Sequence, residues 1–536
     1  MTTTTELLAK GYFPRELPPN FVTDNFSSVI AAHRSSLPAG FTNNSLKANV
    51  VVHNLARAGT LRRRLSVPNP VLHFQLCAFV EVHWSAIAAH VNASTLSRSI
   101  PIAGPTGGRA LIPCMSHSEL TLPRARNRST GRFLLKADVS RFYHSIYTHS
   151  IPWALHTKAA AKADRSPGLY GNQLDKRIRQ SQDEQTLGIP VGPDTSLVFA
   201  EILLSSIDQE LIRRIPTING FRHVDDYELC FSSRSEAETS VAVLEELLAR
   251  YELSLNPTKT VIEELPIPLE AVWAAELRTH KIRSSYKAQA TDINYLFDRA
   301  FTLAREYPNA SVISYAISCL RHVTVHPNNW ELLQYLLLQC VLVEPGTFLY
   351  VTSRLIELSS GGYSLDARSI SKVMNDQIVH HAPRAHGSEV AWAIWTLMRF
   401  GIPIEPASSD AVANMEDSIV ALLALDARAR GLIPGGLNTT RWEMLMSKEE
   451  LYGDNWLLVY EAGIKGWLPS IGGGNHVRAD PNFSFLEANG VYFYDSARTR
   501  LVTPTGVSLA AGRTPHFTIP GEETAPVTVL DEGSLP

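Results

Sequence analysis

The sequence predicts an α+β amino-terminal half joined to an all-α carboxy-terminal half, in a chain of 536 residues. Two observations carry that reading. Up to about residue 265, short β-prone runs and helical patterns follow in the order strand, helix, hairpin, helix, strand. Beyond about residue 275, strand-like runs vanish and amphipathic spacings dominate, as in Val390, Ala391, Ile394, Leu397 and Met398. With 45% hydrophobic residues, the chain can bury two or more cores.

Taken in order, residues 11–40 carry Pro14, Pro18, Pro19 and Pro38 and read as an extended lead-in. Val50–Leu61 and Val71–Ala89 have helix-like apolar patterns and would form a first lobe. Gly104–Arg132 is rich in Gly, Pro, Ser and Arg, which suits loops and short strands. Phe133–Val139 is too apolar and too short for a confident helix and reads as a buried strand with Asp138 at its end. A polar excursion spans Lys158–Gln185, and Leu187–Ser196 is too rich in Gly and Pro for a regular element. The next helix runs through Leu197–Leu211, capped by Asp194 or Thr195. In Phe221–Phe231, the alternation of Tyr227, Leu229 and Phe231 reads as a hairpin with Asp225 and Asp226 at its tip. Ser235–Tyr251 is a helix by its Val241, Leu244, Leu247 and Leu248 spacing, and Leu253–Val261 is a strand or turn.

The later helical runs have no clean period, yet stacked pairs in the HEAT manner fit their spacing. Trp392, Trp395 and Phe400 sit at helical spacing and read as core. Phe483–Val502 reads as a small late hairpin. The expected organisation is an amino-terminal extension (1–49), a catalytic domain (50–270), a helical domain (271–510) and a weakly ordered tail (511–536).

The net charge of −3 argues against a uniformly basic, nucleic-acid-coating protein. Locally, however, Arg109, Arg124, Arg126, Arg128, Arg132 and Lys136 face only Glu119, a short basic track suited to phosphates. Five scattered cysteines without a Cys-x-x-Cys pair imply reduced thiols and a cytoplasmic location. No stretch reaches the roughly 18 apolar residues of a membrane span, so a soluble protein with no membrane partner is expected.

The chemistry rests on Asp138, Asp225 and Asp226. A strand end and a hairpin tip can bring such carboxylates together, and hard oxygen donors suit a pair of Mg²⁺ or Mn²⁺ ions that promote phosphoryl transfer. The surrounding motifs sharpen this. The sequence resembles reverse transcriptases: Asp138-x-x-x-Phe142-Tyr143 looks like their first palm motif and Gly188-Ile189-Pro190-Val191-Gly192-Pro193-x-x-Ser196 like the second. His223-Val224-Asp225-Asp226 looks like the third, and Leu255-Asn256-Pro257-Thr258-Lys259-Thr260 like the fourth. The likeness covers roughly residues 50–265 and makes residues 50–270 reverse-transcriptase fingers and palm. The Tyr143–Trp153 continuation, Val191 and the helical second half resemble the bacterial antiviral branch, the abortive-infection (AbiK and AbiA type) and defence-associated enzymes.

The resemblance implies roles. Asp138, Asp225 and Asp226 would be catalytic and would bind two Mg²⁺ or Mn²⁺ ions together with the backbone carbonyl of Val139. Tyr143 would exclude a 2′-hydroxyl, Gly192 would lie at the nucleotide, and Lys259 would protonate the leaving pyrophosphate. Arg124 and Arg126 are candidates for the triphosphate. Two departures stand out. Val191 replaces the usual Gln and cannot hydrogen-bond near the nascent pair, and His223 replaces the usual Tyr and reads as a packed strand histidine. After Lys259 no short thumb, RNase H or integrase motif is recognisable, and the helical half is expected in the thumb's place. The expected substrates are dNTPs. The expected mode is antiviral DNA synthesis, untemplated and primed from a protein hydroxyl, with covalently attached product and a homo-oligomeric assembly. One alternative copies a bound non-coding RNA into cDNA; another, of a different class, is a catalytically idle, phage-sensing oligomeric scaffold.

Overall fold

The computed structural model describes residues 3–57 and 62–499. A first hairpin pairs β1 (Val50–Ala56) with β2 (Arg62–Pro68), and a smaller one pairs β3 (Pro101–Ala103) with β4 (Leu111–Pro113). The central sheet is antiparallel and contains β5 (Phe133–Asp138), β6 (Asn219–His223), β7 (Asp226–Phe231) and β8 (Val261–Glu264), in the order β6-β7-β5-β8. Leu134, Leu135 and Ala137 of β5 are buried, as are Tyr227, Leu229 and Phe231 of β7. Helices Thr195–Arg214 and Arg234–Ala249 flank the sheet, the second started by a capping box between Ser233 and Glu236.

Four local expectations are corrected. Val50–Ala56 is a strand, not a helix, because its run of three valines favours an extended chain. Pairing from Val50 opposite Pro68 to Ala56 opposite Arg62 buries Val51 and His53 on one face, a period-two pattern. The lead-in holds the helix Asp24–Ala32, since its prolines flank that segment instead of interrupting it and Phe26 and Ile30 supply a buried stripe. The polar excursion contains the helices Lys158–Ala163 and Tyr170–Gln180, anchored by Leu174 and Ile178 beneath a charged outer face. In place of a late hairpin stands the helix Pro481–Ala488, capped by Asp480, which accepts from the Asn482 and Phe483 amides. Tyr494 makes only a lone antiparallel bridge, to Phe21. The tail 511–536 and residues 500–502 lie outside the described residues.

The helix Pro70–Val91 also departs from expectation, being long and apolar enough to cross a membrane by length and composition. In this fold 56% of its most apolar window is buried, and it packs against helices Thr4–Lys10, Tyr170–Gln180 and Thr195–Arg214. Asn69 caps its first turn and Pro70 occupies the first position.

Among the described residues, strand elements end at Glu264, and helices from Val272–Thr279 to Pro481–Ala488 follow. This helical half is clasped to the beginning of the chain. Trp392 donates to the Glu16 carbonyl at 3.1 Å, Trp395 to Asn20 Oδ1 at 2.6 Å and Trp456 to the Val67 carbonyl at 3.0 Å. His53 of β1 meets Asp417 at 2.9 Å. The two halves thus share one continuous apolar core, to which Trp392 and Trp395 belong and against which Phe400 packs.

Trp395→Ala removes a buried indole and its bond to Asn20. We expect a loss of about 3–5 kcal/mol, read as a lowered thermal midpoint; an unchanged midpoint would remove this indole from the clasp.

Candidate active site

The register of β5 against β7 sets Asp138 directly opposite Asp226. Between β6 and β7 only Val224 and Asp225 make the turn, and the Asp225 carbonyl accepts from the Val139 amide at 3.2 Å. One strand end and one two-residue turn therefore gather all three carboxylates. Val224 has φ 52°, left-handed backbone that is costly for a β-branched residue. Both of its peptide groups are held. Its amide donates to Ser99 Oγ at 2.7 Å, and its carbonyl accepts from Arg222 Nη1 at 2.8 Å.

Arg222 in turn sits in a fully buried ion cluster. It contacts Glu201 at 2.7 Å and Asp208 at 2.7 Å, with all three side chains at 0% exposure. Ser97 and Ser99 donate to Glu201, and Ser94 and Tyr227 donate to Asp208. Nearly every lone pair of the two acids is satisfied, the condition under which a buried charge cluster is tolerated. It fixes the turn from below.

From the other side, the segment after Leu253 pins Asp138. The Asn256 amide donates to the Asp138 carbonyl at 2.7 Å, Asn256 Nδ2 donates to Asp138 Oδ1 at 3.1 Å, and Lys259 Nζ reaches Asp138 Oδ2 at 2.5 Å. Asp138 is buried. Burial is the main upward push on the Asp225 carboxyl, and the charge of Asp138 adds to it. Asp226 is exposed as a residue, yet its carboxyl is crowded. Desolvation, then the charges of Asp225 and Asp138, push it up to about 7.

Tyr143 lies close enough to Asp225 for that charge, after burial, to raise its phenol. Its carbonyl accepts from Ile189 at 2.9 Å, which joins the first motif to the second. In the second motif the Val191 carbonyl accepts from Ser66 of β2 at 2.8 Å, and Ser196 Oγ donates to the Pro190 carbonyl at 2.5 Å. Gly192 has φ 130°, and a Cβ there would come within 2.5 Å of Pro14 Cγ, so the lead-in closes over this loop. His223 is buried and approaches the Met115 carbonyl at 3.1 Å; burial, then His117, push its pKa down to about 4, as suits a packed neutral histidine.

The basic track is largely neutralised by acids from distant strands. Arg109 pairs with Asp194, Arg124 and Arg128 with Glu228 of β7, Arg132 with Glu264 and Lys136 with Glu263 of β8. Arg126 is on the exposed side of the helix Thr121–Arg128. The arginines whose charge acts on the carboxylates come instead from the first hairpin. Arg57 interacts with Asp225 and Asp138, and Arg63 with Asp225 and with Tyr143. Both line a cavity of about 250 Å³ shared with Ser311, Tyr350 and Trp392. The run Arg62-Arg63-Arg64 was the visible signal, obscured by reading β1 as a helix.

Three carboxylates meeting at one strand end and one turn, close enough to Arg57 and Arg63 for those charges to act on them, are a hard-oxygen donor set of the kind divalent cations take. A family model described as reverse transcriptase (RNA-dependent DNA polymerase) matches residues 107–296, which span β5 to β8 and all three aspartates. The chain thus carries a reverse-transcriptase domain and is a nucleotidyltransferase, with nucleotides and nucleic acid as the substrates this class implies. No curated protein matches. Among solved structures, apo telomerase from Candida tropicalis shows 11% identity over 77% of this chain and 75% of that one, with a TM-score of 0.31. Telomerase from Candida albicans in complex with a TWJ fragment of telomeric RNA shows 12% identity over 69% of each chain, with a TM-score of 0.30.

Domains of this class generally use two divalent ions. The residues present fit them: the donors are hard oxygens, and the Lys259 ammonium rests on Asp138 as a stand-in cation. An unfolded aspartate titrates at ~3.9, whereas burial and the neighbouring carboxylates push folded Asp226 up to about 7. Between those values the folded chain binds the extra proton, so this group's contribution to stability falls as pH rises toward 7. Cations should reverse that loss. We expect the Mn²⁺-induced rise in thermal midpoint to be larger near pH ~8 than near pH ~6; equal rises would contradict the charge crowding.

Proposed function

We propose that this chain is an RNA-directed DNA polymerase-type enzyme of the bacterial antiviral branch, which adds deoxynucleotides to a 3′-hydroxyl. The observation that carries the reading is the meeting of Asp138, Asp225 and Asp226 at one strand end and one turn, within reach of the charges of Arg57 and Arg63. The three aspartates and the Val139 carbonyl would hold two Mg²⁺ or Mn²⁺ ions. Bound there, such ions activate the attacking oxygen and stabilise the leaving pyrophosphate. Arg57 and Arg63 hold the triphosphate, the role the sequence assigned to Arg124 and Arg126, while the backbone at Gly192 borders the nucleotide. The Tyr143 ring, beside Asp225, blocks a 2′-hydroxyl. Lys259 Nζ, which rests on Asp138 in this structure and would be displaced from it by the ions, would donate a proton to the leaving pyrophosphate.

The finer reading is untemplated synthesis primed from a protein hydroxyl, in a cytoplasmic homo-oligomer that protects against phage. Its support is the resemblance, the apolar Val191 in the second motif, and a helical half that follows the palm where a thumb would stand. We read that half as HEAT-like stacked pairs and place its boundary with the palm near residue 270. A second reading, copying of a bound non-coding RNA, is favoured by a cavity of about 520 Å³ lined by Tyr147, Trp153, Lys162, Arg165 and Arg179. Aromatic faces among cations suit single-stranded nucleic acid.

Purified protein supplied with each dNTP, with and without RNase, separates these readings. Product that survives RNase and stays with the protein until protease treatment supports protein priming; product that needs a defined RNA supports copying. Asp225→Ala should abolish incorporation, and Tyr143→Ala should relax discrimination against ribonucleotides by at least ~10-fold. Undiminished phage protection by the Asp138→Ala protein would overturn both enzymatic readings in favour of an idle scaffold.

A further inference from the structure

Away from the carboxylate cleft, the helix Ala367–His381 ends at a short turn in which Ala385 adopts left-handed backbone (φ 53°), and the helix Gly387–Phe400 begins at once. The reversal brings His381, His386 and Glu389 to one point. The two Nδ1 atoms are 2.9 Å apart, and Glu389 Oε1 lies 3.7 Å from that of His381 and 3.6 Å from that of His386. Ligand atoms about 2.0–2.1 Å from a tetrahedral zinc ion lie roughly 3.3 Å from one another. The observed triangle is within ~0.4 Å of that figure on every side.

The outer contacts suit ligation too. His381 Nε2 faces Gln377 Oε1 at 3.0 Å, an arrangement in which the neutral ring carries its proton on Nε2 and turns the Nδ1 lone pair toward His386 Nδ1, 2.9 Å away. Glu389 Oε2 is held by Ser388 Oγ and by Arg62 Nη2, each at 2.8 Å. Arg62 Nη1 also rests on Oε1, so an ion there would share the carboxylate with the guanidinium. Neither Nδ1 atom is within hydrogen-bonding distance of Oε1, and a bound ion would replace the 2.9 Å contact between the two Nδ1 atoms. His381 and Glu389 are buried, whereas the His386 side chain is 25% exposed and offers a way in.

We infer that His381 Nδ1, His386 Nδ1 and Glu389 Oε1 form a second metal site, for a zinc-class divalent ion with water as the fourth ligand. Two histidines and one carboxylate with an open position are an ordinary zinc donor set and a poor one for magnesium. The ion would bridge the end of the helix Ala367–His381 and the start of the helix Gly387–Phe400, and would be distinct from the polymerase ions.

The test titrates Co²⁺, as a coloured zinc surrogate, into the full chain. We expect one equivalent to produce an intense tetrahedral visible band that Zn²⁺ displaces. The Asp225→Ala/Asp226→Ala protein should keep it, and His386→Gln should weaken Zn²⁺ binding at least tenfold. A wild-type protein without the band, or a His386→Gln protein with unchanged affinity, would overturn the site. If circular dichroism shows that His386→Gln misfolds, X-ray absorption of the zinc-loaded wild type decides: two imidazoles with oxygen support the site, and an all-oxygen or sulfur-containing set refutes it.

Discussion

Cross-strand pairing of Asp138 with Asp226 is the constraint on which the rest of the molecule depends. Like charges directly opposite one another on an antiparallel pair are unfavourable, and here Asp225 joins them from a two-residue turn. Burial first, and then the neighbouring carboxylate charges, push the Asp225 and Asp226 carboxyls up. Such an arrangement persists only where the surrounding structure over-determines it, and where a cation can offset the repulsion.

The over-determination is specific. Arg222 and its two buried acids hold the Val224 carbonyl and, through Ser99, its amide, so the strained turn is braced on both peptide groups. The fourth motif grips Asp138 by backbone and side chain. The Ser66–Val191 bond ties the first hairpin to the second motif, and the helical half locks that hairpin through His53, Trp456 and Arg62. The helical half is therefore part of what positions Arg57 and Arg63 over the carboxylates, in addition to any binding role of its own.

Much of this was legible in the sequence, for identifiable reasons. The strand ending at Asp138, the hairpin around Asp225 and Asp226 and the helices on either side follow from local apolar periodicity, which tertiary packing does not override there. Val50–Ala56 was misread because the apolar pattern of 50–61 was weighed above the extended preference of its three β-branched valines, which pairing with β2 makes plain. The Arg222 cluster was illegible, since Glu201 and Asp208 look like surface residues of an ordinary helix until the sheet covers them. The basic track misled in the converse way: its counter-charges on β7 and β8 lie 100 to 132 residues downstream. His381, His386 and Glu389 are near in sequence, but only the left-handed Ala385 turn makes them neighbours.

The central claim is that three carboxylates from two strands hold a pair of divalent ions at the site of nucleotide addition. Anomalous diffraction from crystals grown with Mn²⁺ and a deoxynucleoside triphosphate addresses it directly. The account expects two manganese peaks about 4 Å apart, in contact with Asp138, Asp225 and Asp226 and with the triphosphate beneath Arg57 and Arg63. Manganese bound elsewhere, or a triphosphate seated away from these aspartates, would contradict it.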